Sequence, residues 1–310
     1  MKNKRIVFMG TPNFSKKVLS ALIEHGYNVV LVVTQPDKLF GRKRILTPSP
    51  VKELAISHNI EVFQPLKIRN DYQRVIELKP DIIITAAYGQ IIPKALLDAP
   101  IYHCVNLHAS LLPKYRGGAP IQRCIINGED KTGVSLMYMD EKMDEGDILA
   151  MEEITIDERD TSSILFDKLA DLASVMIVKY LPAIFSNNLS AVRQEHEKAT
   201  YAYNLKKEDE HINFNEEVKK VYNHIRGLLD NPGAYGVIEG KKYKFYDVAY
   251  TDEIYTKPGI FYGLVGDKLI IGAINGSIIV HKIQPEGKAI MEANAFYNGY
   301  GDKVKGLKFE

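Results

Sequence analysis

Tryptophan is absent from the chain, and cysteine is scarce, with Cys104 and Cys124 the two thiols in 310 residues. Two cysteines make no disulfide framework, so the fold must rest on its core. Neither sign of charge is in excess. Forty Lys and Arg against 39 Asp and Glu leave a formal charge of +1, so the chain as a whole does not advertise nucleic-acid binding and any basic surface is local. No apolar run approaches a membrane span, and the opening MKNKRIVFMG turns strand-like too early for a secretory signal. A cytoplasmic protein outside the membrane is expected. Hydrophobic residues are plentiful, at 45% of the chain, and the length favours two domains over one.

Arg5 to Met9 is a short apolar run closed by Gly10-Thr11-Pro12, after which Phe14, Val18, Leu19, Leu22 and Ile23 recur at helical spacing up to Gly26. This is strand, turn, helix. Further strands are expected over Val29 to Val33, Glu61 to Phe63, Asp81 to Ala87, Tyr102 to His108, Thr132 to Met139 and Ile148 to Ile156. Continuous runs such as Ile82-Ile83-Ile84 suit a parallel sheet buried on both faces, hence a doubly wound α/β domain over residues 1–187. Its last helix spans Asp160 to Phe185, with Asp160 or Thr161 as the cap. The polar stretch that follows shows no sustained period, and 188–206 reads as an interdomain linker. In 207–310 an amphipathic helix from Asn215 ends near Asn231-Pro232-Gly233. Short strands follow over Tyr243 to Tyr250, Ile260 to Val265, Lys268 to Ile274 and Ser277 to Ile283. Their punctuation by Gly240, Gly266 and Asn275-Gly276 is that of a small barrel with hairpin turns.

The informative stretch is VNLHASLLPKYRGGAPIQRCIINGEDKTGVSLMYMDEKMDEG, from Val105 to Gly146. Asn106 and His108 are two apart at a strand end, so their side chains leave one face, where an open α/β sheet places its ligand. An amide, an imidazole and a carboxylate suit acyl transfer to an amine without a covalent intermediate. Asn106 and a protonated His108 can donate to the developing oxyanion, and an acidic residue after the next strand can orient the imidazole and relay a proton through water. Spacing alone does not choose among Asp140, Glu141, Asp144, Glu145 and Asp147. Taken singly, each residue has a blander reading: Asn and His at strand ends usually cap or pack, and an acidic loop is usually solvated. His103 and His108, five apart on one expected strand, face opposite sides, which argues against a shared metal site. Neither cysteine has nucleophile context.

Asn106, the HASLLP of 108–113 and Asp144 resemble the signature of the folate-dependent formyltransferases. GTPNFS at 10–15, TQPDKLFGRKR at 34–44, YRGGAPIQR at 115–123 and QPEGKAIM at 284–291 extend the likeness over essentially the whole length, to the branch that acts on methionyl-tRNA. The resemblance implies a Rossmann-like N-terminal domain, a C-terminal barrel resembling an OB fold, and formyl transfer from 10-formyltetrahydrofolate to the amino group of initiator methionyl-tRNA. It implies Asn106, His108 and Asp144 as the catalytic set, Ser110, Leu111, Leu112 and Pro113 as a folate contact, and Tyr88, Gly89, Gln90 and Ile91, up to Ile92, as lining of the pterin pocket. No metal is implied, and a monomer is expected. The family usually places one Trp in the segment Lys114-Tyr115-Arg116 and another near Pro232. Tyr115 keeps an aromatic at the first, and the second has no replacement.

Between Pro36 and Lys52 lie Lys38, Arg42, Lys43, Arg44 and Lys52 against Asp37 alone, in a stretch of no regular period that reads as a long positively charged loop. Arg42, Lys43 and Arg44 are candidate tRNA contacts, and Lys206 and Lys207 continue the path. From residue 206 onward basic and acidic residues are equal in number, so charges there must segregate by face. Three rival functions differ in testable ways. A nicotinamide-dependent reductase meets the objection that GTPNFS lacks the later glycines of a dinucleotide loop. An amino-sugar formyltransferase keeps the chemistry but leaves the barrel and basic loop without a role. An RNA-binding protein without catalysis would tolerate loss of His108.

Overall fold

Unbroken runs of branched aliphatic residues set the first sheet. The chain, seen in a computed structural model, is described over residues 2–310 except Arg42, Lys43 and Asp230, with Phe40 described by its backbone alone. It divides into two units, Met1–Pro120 with Lys131–Thr155 and Phe166–Tyr203, and Ile121–Asp130 with Ile156–Leu165 and Asn204–Glu310. The elements up to the long helix run in order β1 (Ile6–Gly10), α1 (Asn13–Glu24), β2 (Val29–Val33), β3 (Lys38–Phe40), β4 (Ile45–Thr47), α2 (Pro50–Ser57), β5 (Val62–Phe63), α3 (Gln73–Glu77), β6 (Ile82–Ala86), α4 (Lys94–Leu97), β7 (Cys104–His108), α5 (Pro120–Ile126), β8 (Lys131–Tyr138), β9 (Ile148–Thr155) and α6 (Ser162–Phe185).

In the first unit a sheet of order β5-β2-β1-β6-β7-β8-β9 is parallel as far as β7 and antiparallel from β7 to β9. Strands β1 and β6 are buried throughout, as central strands covered on both faces must be. The expected α/β architecture is present. Gly10 lets α1 turn back tightly, because a Cβ there would stand 2.4 Å from that of Ser15, whose hydroxyl donates to the Ala86 carbonyl. Thr161 supplies a cap oxygen to α6, accepting from Ile164 N at 3.3 Å, and Asp160 accepts from Asp157 N.

Two local readings change. The stretch expected as an irregular loop folds into the antiparallel hairpin β3–β4, paired Lys38 with Thr47 and Leu39 with Leu46, before α2 begins with Ser49 as its cap. Leu39, Ile45 and Leu46 are all exposed, so no alternation of buried and polar side chains marked these strands. Strand β7 begins at Cys104, so His103 precedes it at φ 61° and does not share a strand with His108.

The second unit packs the amphipathic helix α7 (Val218–Leu228) onto an antiparallel curled sheet of β10 (Tyr235–Ile238), β11 (Lys241–Thr251), β12 (Phe261–Val265), β13 (Lys268–Ala273), β14 (Gly276–Pro285) and β15 (Met291–Glu292). This is the OB-like unit expected. The sheet order β10-β11-β14-β13-β12 leaves β10 and β12 as edges, and the segment 306–310 bonds to both. Val237 and Glu310 exchange both backbone bonds at one edge, while Phe261 N donates to Leu307 O and Phe309 N to Gly259 O at the other. Phe309, 3% exposed, lies against Phe214, Tyr243 and Phe245. Phe309→Ala is expected to cost about 3–5 kcal/mol through the cavity it leaves, read as a lower denaturant midpoint for the C-terminal unit.

Candidate active site

The carboxyl ends of the parallel strands converge on one place. Thr11 after β1, Gln35 after β2, Tyr88 after β6 and Ser110 after β7 all lie there, and the Tyr88 carbonyl accepts from Thr11 Oγ1 at 3.3 Å and from Gln35 Nε2 at 3.1 Å. Asn106 and His108 both project from β7, as their two-residue spacing requires. Thr85 on β6, paired with Asn106 in parallel register, donates from Oγ1 to Asn106 Oδ1 at 2.8 Å. That bond occupies the amide oxygen and leaves the Asn106 Nδ2 hydrogens for a ligand. Thr85 went unnoticed in the sequence because a strand threonine is ordinary.

His108 is 6% exposed, and its Nε2 donates to the Tyr115 carbonyl at 2.9 Å. Nδ1 faces Asp144 Oδ2 at 3.6 Å, an ion-pair distance and not a hydrogen bond. Asp144 sits at φ 53° and accepts from Gly117 N at 2.9 Å through the same Oδ2. Oδ1 has no hydrogen-bond partner among the described residues. Gly117 itself is required: its φ is 118°, and a Cβ would meet the Ala202 carbonyl at 2.8 Å.

Behind this carboxylate lies a buried network that the sequence did not reveal. Arg116, 1% exposed, donates from Nε and Nη2 to Gln194 Oε1 at 3.1 and 2.7 Å and from Nη2 to His196 Nδ1 at 3.0 Å, and its Nη1 stands 3.3 Å from Glu145 Oε1. Gln194 Nε2 in turn donates to the carbonyls of Asp144 and Gly146 at 2.9 and 2.7 Å. The acidic loop is therefore held at three consecutive residues. Arg116 stood within a quoted motif, but Gln194 lies in the stretch without period. No local pattern marked it.

Residues 4–181 match the formyl transferase family and residues 204–301 the formyl transferase C-terminal domain. The chain is 47% identical over 302 residues, 95% of each chain, to the methionyl-tRNA formyltransferase of Bacillus cytotoxicus. The chain belongs to the methionyl-tRNA formyltransferase family. The family's enzyme from Geobacillus sp. is 48% identical over 301 residues, 96% of this chain and 95% of that one. Among solved structures, an N-formyltransferase from Helicobacter canadensis in complex with folinic acid and dTDP-3-aminofucose superposes with a TM-score of 0.71 at 20% identity, over 89% of this chain and 98% of that one. At that identity the likeness is one of fold.

Of the segments that the family resemblance pointed to, Ser110 is buried, donating to the Lys114 carbonyl at 2.7 Å and giving its own carbonyl to Ser135 Oγ. Leu112, which precedes the cis Pro113, packs with Met137 and Ile148, and Leu111 is half-buried. The Tyr88 ring sits in the core beside Val7 and Ile83, its hydroxyl without a hydrogen-bond partner among the described residues, and burial pushes its pKa up to about 12. Gly89 takes φ 85°, Gln90 Oε1 accepts from Ile68 N, and the Ile91 side chain is exposed. A groove of about 620 Å³, lined in part by Leu97, Tyr138, Met139, Glu145 and His196, adjoins the acidic loop but is not lined by Asn106, His108 or Asp144.

The basic residues separate into committed and uncommitted ones. Lys52 pairs with Asp37 at 2.7 Å, and hydrogen bonds from Gln64 and then Lys52 hold the Asp37 carboxyl below its ordinary range. Arg44, Lys206 and Lys207 are exposed, whereas Arg42 and Lys43 lie outside the described residues. Burial raises the Cys104 thiol to about 12, with Asp98 adding to the effect, which removes it as a nucleophile near neutral pH.

Proposed function

We propose that this chain transfers the formyl group of 10-formyltetrahydrofolate to the free amino group of initiator methionyl-tRNA in the cytoplasm. Residues 1–187 then form the catalytic domain, joined through 188–206 to a tRNA-binding domain over 207–310. The observation that carries the reading is the meeting of Asn106, His108 and Asp144 at the carboxyl end of the sheet, with Thr85 fixing the amide and Gly117 the carboxylate.

The neutral amine attacks the formyl carbon, the carbonyl oxygen becomes an oxyanion, and collapse breaks the bond to N10 of the folate, which takes up a proton as the amine loses one. An α-amino group has an ordinary pKa near 8, so a useful fraction is neutral without a strong base. Asn106 Nδ2 donates to the oxyanion, a contact of the kind that supplies about 3 kcal/mol. His108 Nε2, held by the Tyr115 carbonyl in the free enzyme, exchanges that partner for the oxyanion when substrate is bound. Asp144 orients the ring through Oδ2 and passes the proton through water at Oδ1. Ser110 to Pro113 and Tyr88 to Ile91 frame the folate side, while Arg42, Lys43, Arg44, Lys206 and Lys207 meet tRNA phosphates.

Radiolabelled formyl should pass from 10-formyltetrahydrofolate to initiator methionyl-tRNA and not to uncharged tRNA or free methionine. An amino-sugar nucleotide labelled faster than methionyl-tRNA would move the assignment to a different acceptor.

A further inference from the structure

The sequence YAYNLKK at 201–207 alternates aromatic, buried and polar residues ahead of two lysines. Ala202 is fully buried, so the two-residue period of this extended segment turns its neighbours outward, leaving Tyr201 47% and Tyr203 61% exposed. Their rings stack on one another, with centroids 5.6 Å apart and planes within 6°. Two large rings held parallel, their faces partly open to water, lie outside the core. Such faces suit flat π-systems, and a nucleobase of any identity presents one.

The segment is not loose. Arg116 N donates to the Thr200 carbonyl at 2.9 Å, Ala202 N to the Arg116 carbonyl at 2.7 Å and Ala119 N to the Ala202 carbonyl at 2.9 Å. The Ala202 carbonyl thus lies against Gly117, whose own N–H holds Asp144. The stacked rings are anchored to the peptide that fixes the candidate catalytic carboxylate, with no flexible segment between.

We infer that Tyr201 and Tyr203 form a stacking platform for the unpaired nucleotides at the 3′ end of the acceptor tRNA, which must lead the aminoacyl ester to Asn106 and His108. The inference rests on the tRNA acceptor proposed above. Unpaired nucleotides are the part of a tRNA whose bases are free to stack on aromatic side chains, and exposed Lys206 and Lys207 follow along the chain to meet the phosphates. The ligand class is therefore a short single strand, bound through base faces and not through base identity.

The test compares wild-type enzyme with Tyr201→Ala/Tyr203→Ala and Tyr201→Phe/Tyr203→Phe in steady-state formylation. Loss of both rings should raise KM for methionyl-tRNA about tenfold or more, with kcat and the KM for the folate donor retained, and the phenylalanine pair should restore it. Tyr203→Ser alone, at the more exposed ring, gives the smaller effect if the double variant does not fold. Binding of tRNA carrying 2-aminopurine at its 3′ terminus should quench the probe's fluorescence in the wild type and the phenylalanine pair. An unchanged KM in the alanine or serine variants, or no quenching in the wild type, overturns the platform while leaving the formyl transfer standing. A wild-type enzyme that does not formylate methionyl-tRNA overturns both.

Discussion

His108→Ala should lower kcat for formyl transfer by about 10²–10³-fold while leaving the affinity for methionyl-tRNA nearly unchanged. The ring acts on charge that develops during attack, so its removal raises the barrier without weakening the ground-state complex. The buried His108 side chain touches the rest of the protein through its Tyr115 and Asp144 contacts alone among the side-chain hydrogen bonds and ion pairs described. Stability should therefore change less than rate, and thermal melting beside single-turnover kinetics separates the two. Retention of full turnover would remove His108 from the catalytic set.

Arg116→Ala should destabilise the fold by about 3–5 kcal/mol, because it leaves Gln194 Oε1 and the Glu145 carboxylate facing a cavity where five donors had been. Glu145 retains some access to water, which places the cost toward the lower end. Activity should fall as well, by more than the unfolded fraction explains, because Gln194 carries the Asp144 and Gly146 carbonyls only while its own oxygen is pinned. Gln194→Ala isolates that second effect: a milder loss of stability with a fall of about tenfold in kcat, which corresponds to about 1.4 kcal/mol of barrier. Chemical denaturation gives the first quantity and single-turnover rates below the melting range the second. Equal losses of rate and of folded fraction would reduce the network to a purely structural one.

What was legible in the sequence followed from local repetition. Ile82-Ile83-Ile84 announces a strand wherever it is placed, and the two-residue step from Asn106 to His108 fixes a shared face before any tertiary contact is known. Hairpin β3–β4 had no such signature, since Leu39, Ile45 and Leu46 face water and the period that marks a strand is imposed by a core. Asp144 could be distinguished from its acidic neighbours through the family pattern alone. In the structure the distinction is made by a left-handed backbone and the amide of Gly117, neither of which is written at Asp144 itself. Gln194 is the extreme case, a polar residue whose partners, Arg116, Asp144 and Gly146, all lie far away in sequence.

The seam made by residues 306–310 bears on how copies of the chain behave toward one another. At Val237 of β10 and at Phe261 of β12, both edge strands of the curled sheet, the outward N–H and C=O groups are engaged by this segment. An unsatisfied strand edge is a template for any other strand, including the same edge on a second molecule. By engaging each edge at one residue with its own backbone, the chain interrupts two such templates. Displacing those few residues would then expose a route to aggregation even where the remaining core stayed folded.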